Sequence, residues 1–145
     1  MKPELEHQLY EKYPKLFRQK DLSQMETCMC WGVACGDGWH SLIDTACEKL
    51  QKLACETGYT IEFTQVKEKF GGLRMYLHIE ENKEQQRSID PQRQLSCGAV
   101  SELAHTITME AENQSVTTCD QCGEQGKQRG GPWISTRCDQ HAKNR

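Results

Sequence analysis

Apolar residues at Leu5, Leu9, Tyr13, Leu16 and Phe17 recur at helical spacing over residues 3–18, a helix that Pro14 should kink or split because it lacks an N–H and crowds the preceding turn. The segment CMCWGVACGDGW (28–39) has no period, and its glycines and Asp-Gly step predict a tight irregular loop. The helical period returns at Trp39, Leu42, Ile43, Ala46, Leu50, Leu53 and Ala54, predicting a helix over 39–57 that Gly58 stops. From Tyr59 the period falls to two. YTIEFTQVK alternates through Ile61 and Phe63, and LRMYLHIE alternates through Leu73, Met75, Leu77 and Ile79. Between them, Glu68-Lys69-Phe70-Gly71-Gly72 supplies the glycine turn of an antiparallel hairpin. Residues 81–94 are polar and read as a mobile loop. Pro91 suits the opening of a last helix over 91–113, with Leu95, Ala99, Val100, Leu103, Ala104 and Ile107 on one face. The pattern predicts an α+β fold, with helices on a small antiparallel sheet or hairpin. The core spans 1–114, and a Cys/His segment at 115–145 packs on it.

With 145 residues, of which 36% are hydrophobic and 27% charged, the chain has material for one modest core. A formal charge of -3 argues against wholesale binding of nucleic acid or a lipid surface, although a local basic patch is compatible with it. No stretch approaches the ~20 apolar residues of a membrane helix. The opening MKPELEHQLYEKYPKLF lacks the apolar run of a signal peptide, so a cytosol is the expected location. Nine cysteines, an odd number, argue in such a setting against a disulfide framework; thiols there serve as metal ligands, reactive groups or small buried apolar residues.

Cys119-x2-Cys122 and Cys138-x2-His141, separated by fifteen residues, are the densest chemistry in the chain. Two residues between ligands let a knuckle turn aim both side chains at one ion, and Gly123 relieves the backbone where it passes the metal. The intervening residues suffice for a hairpin turning at Gly130-Gly131-Pro132, with the second pair on a terminal helix beginning near Thr136. Three thiolates and one imidazole leave no open position for water. The expectation is one structural Zn2+ rather than a catalytic one, and its chelation should unfold residues 115–145.

Cys28, Cys30, Cys35 and His40 could form a second metal site, though the C-x-C spacing is awkward for a tetrahedron. The plainer reading makes Cys30, Cys35 and Cys47 buried apolar residues, with Trp31 and Trp39 filling a corner of the core and Cys55 and Cys97 on apolar helix faces. Asp37, between two glycines, reads as a cap for the next helix rather than a functional carboxylate.

QVKEKFGGLR (65–74) gathers Lys67, Lys69 and Arg74 at a glycine turn but lacks the spacing of a phosphate-binding loop. Asp44 with Gln65 and Lys67 could hold magnesium in a nuclease, a weak signal because any polar strand face yields such triplets. The histidines at 7, 78 and 105 read as surface or boundary residues. Lys127, Arg129, Arg137, Lys143 and Arg145 make the C-terminal segment locally basic. With Trp133 among them they could grip phosphates and stack a base, or form a solvated face with Trp133 shielding the metal.

Three blocks, W-G-x-x-C-G-D-G-W (31–39), Q-V-K-E-K-F-G-G-L-R (65–74) and C-x-x-C-G-x-x-G-K-x-R…G-W-I-x-T-x-C-x-x-H, resemble a family of small bacteriophage and prophage proteins of unknown function. The last block is also similar to treble-clef and zinc-ribbon fingers such as that of the DksA/TraR transcription regulators. Pro132 interrupts the family's G-G-W and the loop at 80–94 differs, but neither touches the four presumed ligands. The resemblance implies a viral or mobile-element setting and little mechanism. By analogy with short acidic phage proteins, the leading expectation is a non-enzymatic protein that binds a host protein, for example an anti-CRISPR-like inhibitor of a bacterial defence. A regulator using the basic finger on nucleic acid is the alternative, and a nuclease comes third.

Overall fold

The computed structural model describes residues 1–142. Helix α1 (Pro3–Lys12) opens on a proline at its first position, with Glu4 and Glu6 in the first turn where the helix dipole favours them. It ends short of the expected residue 18. Pro14 disfavours helical backbone at Tyr13, whose φ of -129° and ψ of 58° leave the helix, and the chain continues as turns through a 3-10 segment, Arg18–Asp21. Tyr13, Leu16 and Phe17 are buried all the same.

The irregular segment that follows contains β1 (Val33–Ala34) and a 3-10 turn, Asp37–Trp39, leading into α2 (His40–Thr57). Gly58 closes α2 in the left-handed region at φ 70°, donating its N–H to Ala54 O. Strands β2 (Tyr59–Lys69) and β3 (Gly72–Glu81) form the expected antiparallel hairpin. The sheet as a whole is mixed rather than antiparallel, because β1 adds to β2 in parallel, with Val33 opposite Val66. Residues 81–94, expected to be a loop, carry short helical elements. They hold α3 (Lys83–Gln86), capped by Asn82, and a 3-10 turn, Pro91–Arg93, capped by Asp90; the buried Gln86 amide donates to Thr57 O and Gly58 O.

Helix α4 (Cys97–Ser115) starts later than expected, at the Ser96 cap. Its buried face is Val100, Ala104, Thr108, Ala111 and Ser115, small enough to let it lie against both α2 and β3, while Leu95 and Leu103 are exposed. Its polar side chains also serve the sheet: Ser115 Oγ and Glu112 Oε1 accept the N–H groups of Leu73 and Met75, each at 2.9 Å. On the opposite side of the ladder, Phe63 N–H donates to Leu16 O and the Thr27 hydroxyl to Thr64 O, so the 13–31 segment covers β2. Arg18 and Gln19 close over the buried carboxylate of Glu62, the guanidinium in a bidentate pair at 2.6 and 2.9 Å.

The core fills with Leu9, Tyr13, Phe17, Trp39, Ile43 and Phe63, all buried. Trp31 departs from expectation by lying largely in solvent, as do Cys55 and Cys97, which sit on the outer faces of their helices. After α4 come a knuckle at Cys119–Gly123, a two-stranded antiparallel ladder of β4 (Lys127–Arg129) and β5 (Ser135–Arg137), and the short helix α5 (Asp139–Ala142). Thr136, expected to begin that helix, belongs to β5. No helix among the described residues is long and apolar enough to cross a membrane.

Candidate metal centre

The knuckle is built by two backbone bonds. Gly123 N–H donates to Cys119 O at 2.9 Å while Cys119 N–H donates to Glu124 O at 2.7 Å, and Gly123 takes the φ of 80° that this reversal requires. Cys138 lies just before α5 and His141 in its only turn, with Ala142 N–H returning to Cys138 O. The ligand atoms of Cys119, Cys122, Cys138 and His141 all lie within 4.8 Å of one another, so the four could hold a metal ion.

The separations test what that ion could be. A tetrahedral ion with bonds of about 2.3 Å to sulfur and 2.0–2.1 Å to nitrogen places sulfurs ~3.8 Å apart and sulfur and nitrogen ~3.6 Å apart. Cys122 and Cys138 sulfurs are 3.8 Å apart, and His141 Nδ1 is 3.6 Å from Cys119 Sγ and 3.2 Å from Cys138 Sγ. The residues fit a four-coordinate ion. Electrostatics favour a thiolate at Cys119, whereas at Cys122 the Glu124 N–H is outweighed by desolvation and the neighbouring Cys119 and Cys138 sulfurs, which push the thiol up. Burial opposes ionisation of Cys119, but backbone N–H groups of Cys138, Cys122 and Gln121 aimed at its sulfur prevail and bring it down to about 6.

The centre is seated on the core by the absence of side chains. A Cβ on Gly36 would stand 1.9 Å from Asp120 O, and one on Gly38 would stand 2.0 Å from Cys119 O, so the knuckle backbone lies directly on these glycines. Gly38 N–H donates to Asp120 O at 2.9 Å, and the indole N–H of buried Trp39 donates to Thr118 O at 2.8 Å. The hairpin turn seats the other half: the Thr136 hydroxyl donates to Gly71 O, and Gln128 Nε2 to Phe70 O at 3.4 Å. The three sequence blocks thus meet at one place. Their glycines read in sequence only as turns, and their steric role follows from contacts between distant segments. Asp37 does not cap; it accepts the Lys2 backbone N–H at 2.7 Å and pairs with the Lys2 ammonium at 3.4 Å, holding the start of α1 against this loop.

Among the described residues, Cys28, Cys30, Cys35 and His40 form no second metal-binding group. Cys28 is exposed, Cys30 donates to Thr27 O at 3.3 Å, and Cys35 is buried, its thiol pushed up to about 12 mainly by desolvation. Cys47 is buried in the core as expected. The Asp44 carboxylate, suggested above as a magnesium ligand with Gln65 and Lys67, instead accepts from Lys12 at 3.0 Å and from the Tyr13 hydroxyl at 2.8 Å. Lys67 stands opposite Arg74 on the hairpin, and Lys69 lies 5.5 Å from the Phe70 ring.

The basic residues of the finger are less available than the sequence implies. Arg129 pairs with Asp139 at 2.6 Å and donates to Arg137 O, and Arg137 Nε faces Asp120 at 3.4 Å without hydrogen-bond alignment. Lys127 is exposed on β4, and Trp133 is 72% exposed. Lys143 and Arg145 lie outside the described residues. No family model matches the chain, and no curated protein or solved structure matches it either.

Proposed function

We propose that Cys119, Cys122, Cys138 and His141 hold one structural Zn2+ in a treble-clef arrangement, and that the protein acts without catalysis by presenting the surface this ion orders to a host protein. The observation that carries the reading is the cluster of three sulfurs and one nitrogen, all within 4.8 Å of one another, with Cys122–Cys138, Cys119–His141 and Cys138–His141 at 3.8, 3.6 and 3.2 Å. Borderline-soft zinc suits that donor set, and four protein ligands leave no position at which water could be activated. The seat at Gly36 and Gly38 ties the ion to the fold of the core, which suits a structural role. The motif resemblance to small phage proteins supports a host-directed role in a bacterial cytosol, of which inhibition of a defence system, as by an anti-CRISPR, is one version.

Nucleic-acid regulation ranks below this because Arg129 and Arg137 face Asp139 and Asp120, and a nuclease ranks lower still because Asp44 is engaged by Lys12 and Tyr13. The test is affinity capture from bacterial lysate with zinc-loaded and chelated protein in parallel, with metal content measured on the bait. One zinc per chain and a stoichiometric protein retained only by the loaded form are expected. Recovery of no stoichiometric protein, or a shift of DNA or RNA at micromolar protein and low salt, would refute the reading.

A further inference from the structure

Phe70 is the only residue other than glycine with positive φ among the described residues, at 52°, and Gly71 follows at 76°. Two positive φ values make a tight hairpin turn of the kind that ordinarily takes Asn-Gly, because a bulky side chain is disfavoured there. The phenylalanine is not compensated by burial, since it is 67% exposed. A strained position that displays an aromatic ring to solvent is a reason to look for what the ring meets.

The ring has apolar company held in fixed register. A Cβ on Gly71 would stand 3.0 Å from Ile134 Cγ2, so Ile134, itself 41% exposed, packs on the turn, and exposed Trp133 precedes it. The bonds from Thr136 to Gly71 O and from Gln128 to Phe70 O join the hairpin tip to the finger. Two aromatics and an isoleucine on a braced backbone have the composition of an interface anchor. Cationic side chains stand near them: Lys69 beside the ring, Lys67 opposite Arg74, and Lys127 on β4. The nearby half-buried carboxylate of Glu68 is engaged by Gly71 N–H at 2.7 Å. A cationic rim on a chain of net charge -3 is complementary to an acidic partner.

We infer that this tip, with Phe70, Trp133 and Ile134 at its centre and Lys67, Lys69 and Lys127 at its rim, docks an acidic protein segment carrying apolar side chains. The inference rests on the interaction role proposed above and names its surface. A protein is favoured over nucleic acid because the finger's guanidiniums, the forks suited to phosphate, face Asp139 and Asp120. Removing the metal should also abolish docking, because Trp133 and Ile134 are positioned by the finger.

The test pans random peptides of about 12 residues, a length suited to groove and edge recognition, against the intact zinc-loaded chain. An enriched motif combining Asp or Glu with apolar residues is expected. Its affinity should fall about tenfold or more in Phe70→Ala and in Trp133→Ala, as for truncated anchors, and in Lys69→Glu/Lys127→Glu, while Met25→Ala, exposed elsewhere, changes nothing. Absence of any Phe70-dependent motif, enrichment of neutral or basic peptides, or tighter binding of an oligo-dT strand by fluorescence anisotropy would each overturn the inference. If lysate capture yields a zinc-dependent partner that Phe70→Ala and Trp133→Ala still retain, the docking surface is wrong and the interaction role stands.

Discussion

Replacing Gly38 by alanine adds one carbon at a position whose φ is not left-handed, so the backbone itself accepts the change. The obstacle is tertiary. The new Cβ would stand 2.0 Å from Cys119 O and 2.6 Å from Gly123 N, both backbone atoms of the knuckle, so the knuckle must lift from its seat. Lifting breaks the bond from Gly38 N–H to Asp120 O and strands the buried Trp39 indole N–H, which now donates to Thr118 O. The first loss is about 1 kcal/mol and an orphaned buried donor costs about 1–3 kcal/mol, giving roughly 2–4 kcal/mol in all. Against a typical total of about 5–15 kcal/mol this is a large fraction. Urea denaturation followed by Trp39 fluorescence, in a Trp31→Phe/Trp133→Phe background, should show the midpoint falling by about 1–2 M. Gly130→Ala is the control, because a Cβ there meets nothing within 4 Å. If Gly38→Ala unfolds at the same urea concentration as Gly130→Ala, the seat is not what holds the finger.

Thiol labelling of the zinc-loaded protein should modify Cys28, Cys55 and Cys97 quickly and leave Cys35 and Cys47 unreactive, with Cys119, Cys122 and Cys138 joining the fast set only on chelation. Fast labelling of Cys119 with metal bound would contradict the ligand assignment. Chelation should collapse amide protection over 116–142 in hydrogen exchange while the hairpin strands keep theirs. Burial raises the Glu62 carboxyl, but Arg18 and Gln19 outweigh it, and the group ends below its usual 4.5. Its contribution to stability is therefore complete above pH ~4.5 and is lost as pH falls through the lower folded value. Acid titration of Glu62→Gln should lack that component, and an unchanged profile would rule it out. Ser115→Ala removes the acceptor of the buried Leu73 N–H and should destabilise by about 1–3 kcal/mol in the same urea assay.

The clustering of Cys119, Cys122, Cys138 and His141 was legible because their spacing is a local property: a knuckle needs only Cys-x2-Cys and a turn residue to be recognised. Helix α2 and the hairpin were legible because their periods recur over many residues, although a register shift between Phe63 and Gln65 breaks the alternation of β2 so that Val66 rather than Gln65 is buried. Elsewhere tertiary contacts overrode the pattern. Leu95 and Leu103 looked like core, yet α4 buries Val100, Ala104, Thr108, Ala111 and Ser115, since only small side chains let it approach two neighbours at once. β1 is two residues long, too short to have a period, so the parallel addition to β2 left no trace in the sequence. Arg129 and Arg137 looked like a free basic patch because nothing in their spacing announces Asp139 and Asp120 as partners. Asp37 sat where a cap belongs, and its engagement by Lys2 depends on where the loop carries it.

The seat and its occupant are also separated in time. Trp39 and its acceptor Thr118 lie 79 residues apart, so at translation speeds of about 5–20 residues per second the indole waits roughly 4–16 s for its partner. During that interval α2 and the hairpin can form, but the glycine-floored corner stays open to water. Closure of that corner therefore waits for Thr118, and the set that could hold a metal ion is complete only when Cys138 and His141 follow. If that ion is what fixes the knuckle, chains made without it are expected to have their helices formed and the Trp39 indole still unpaired, which limited proteolysis of metal-free protein would read as early cleavage after α4.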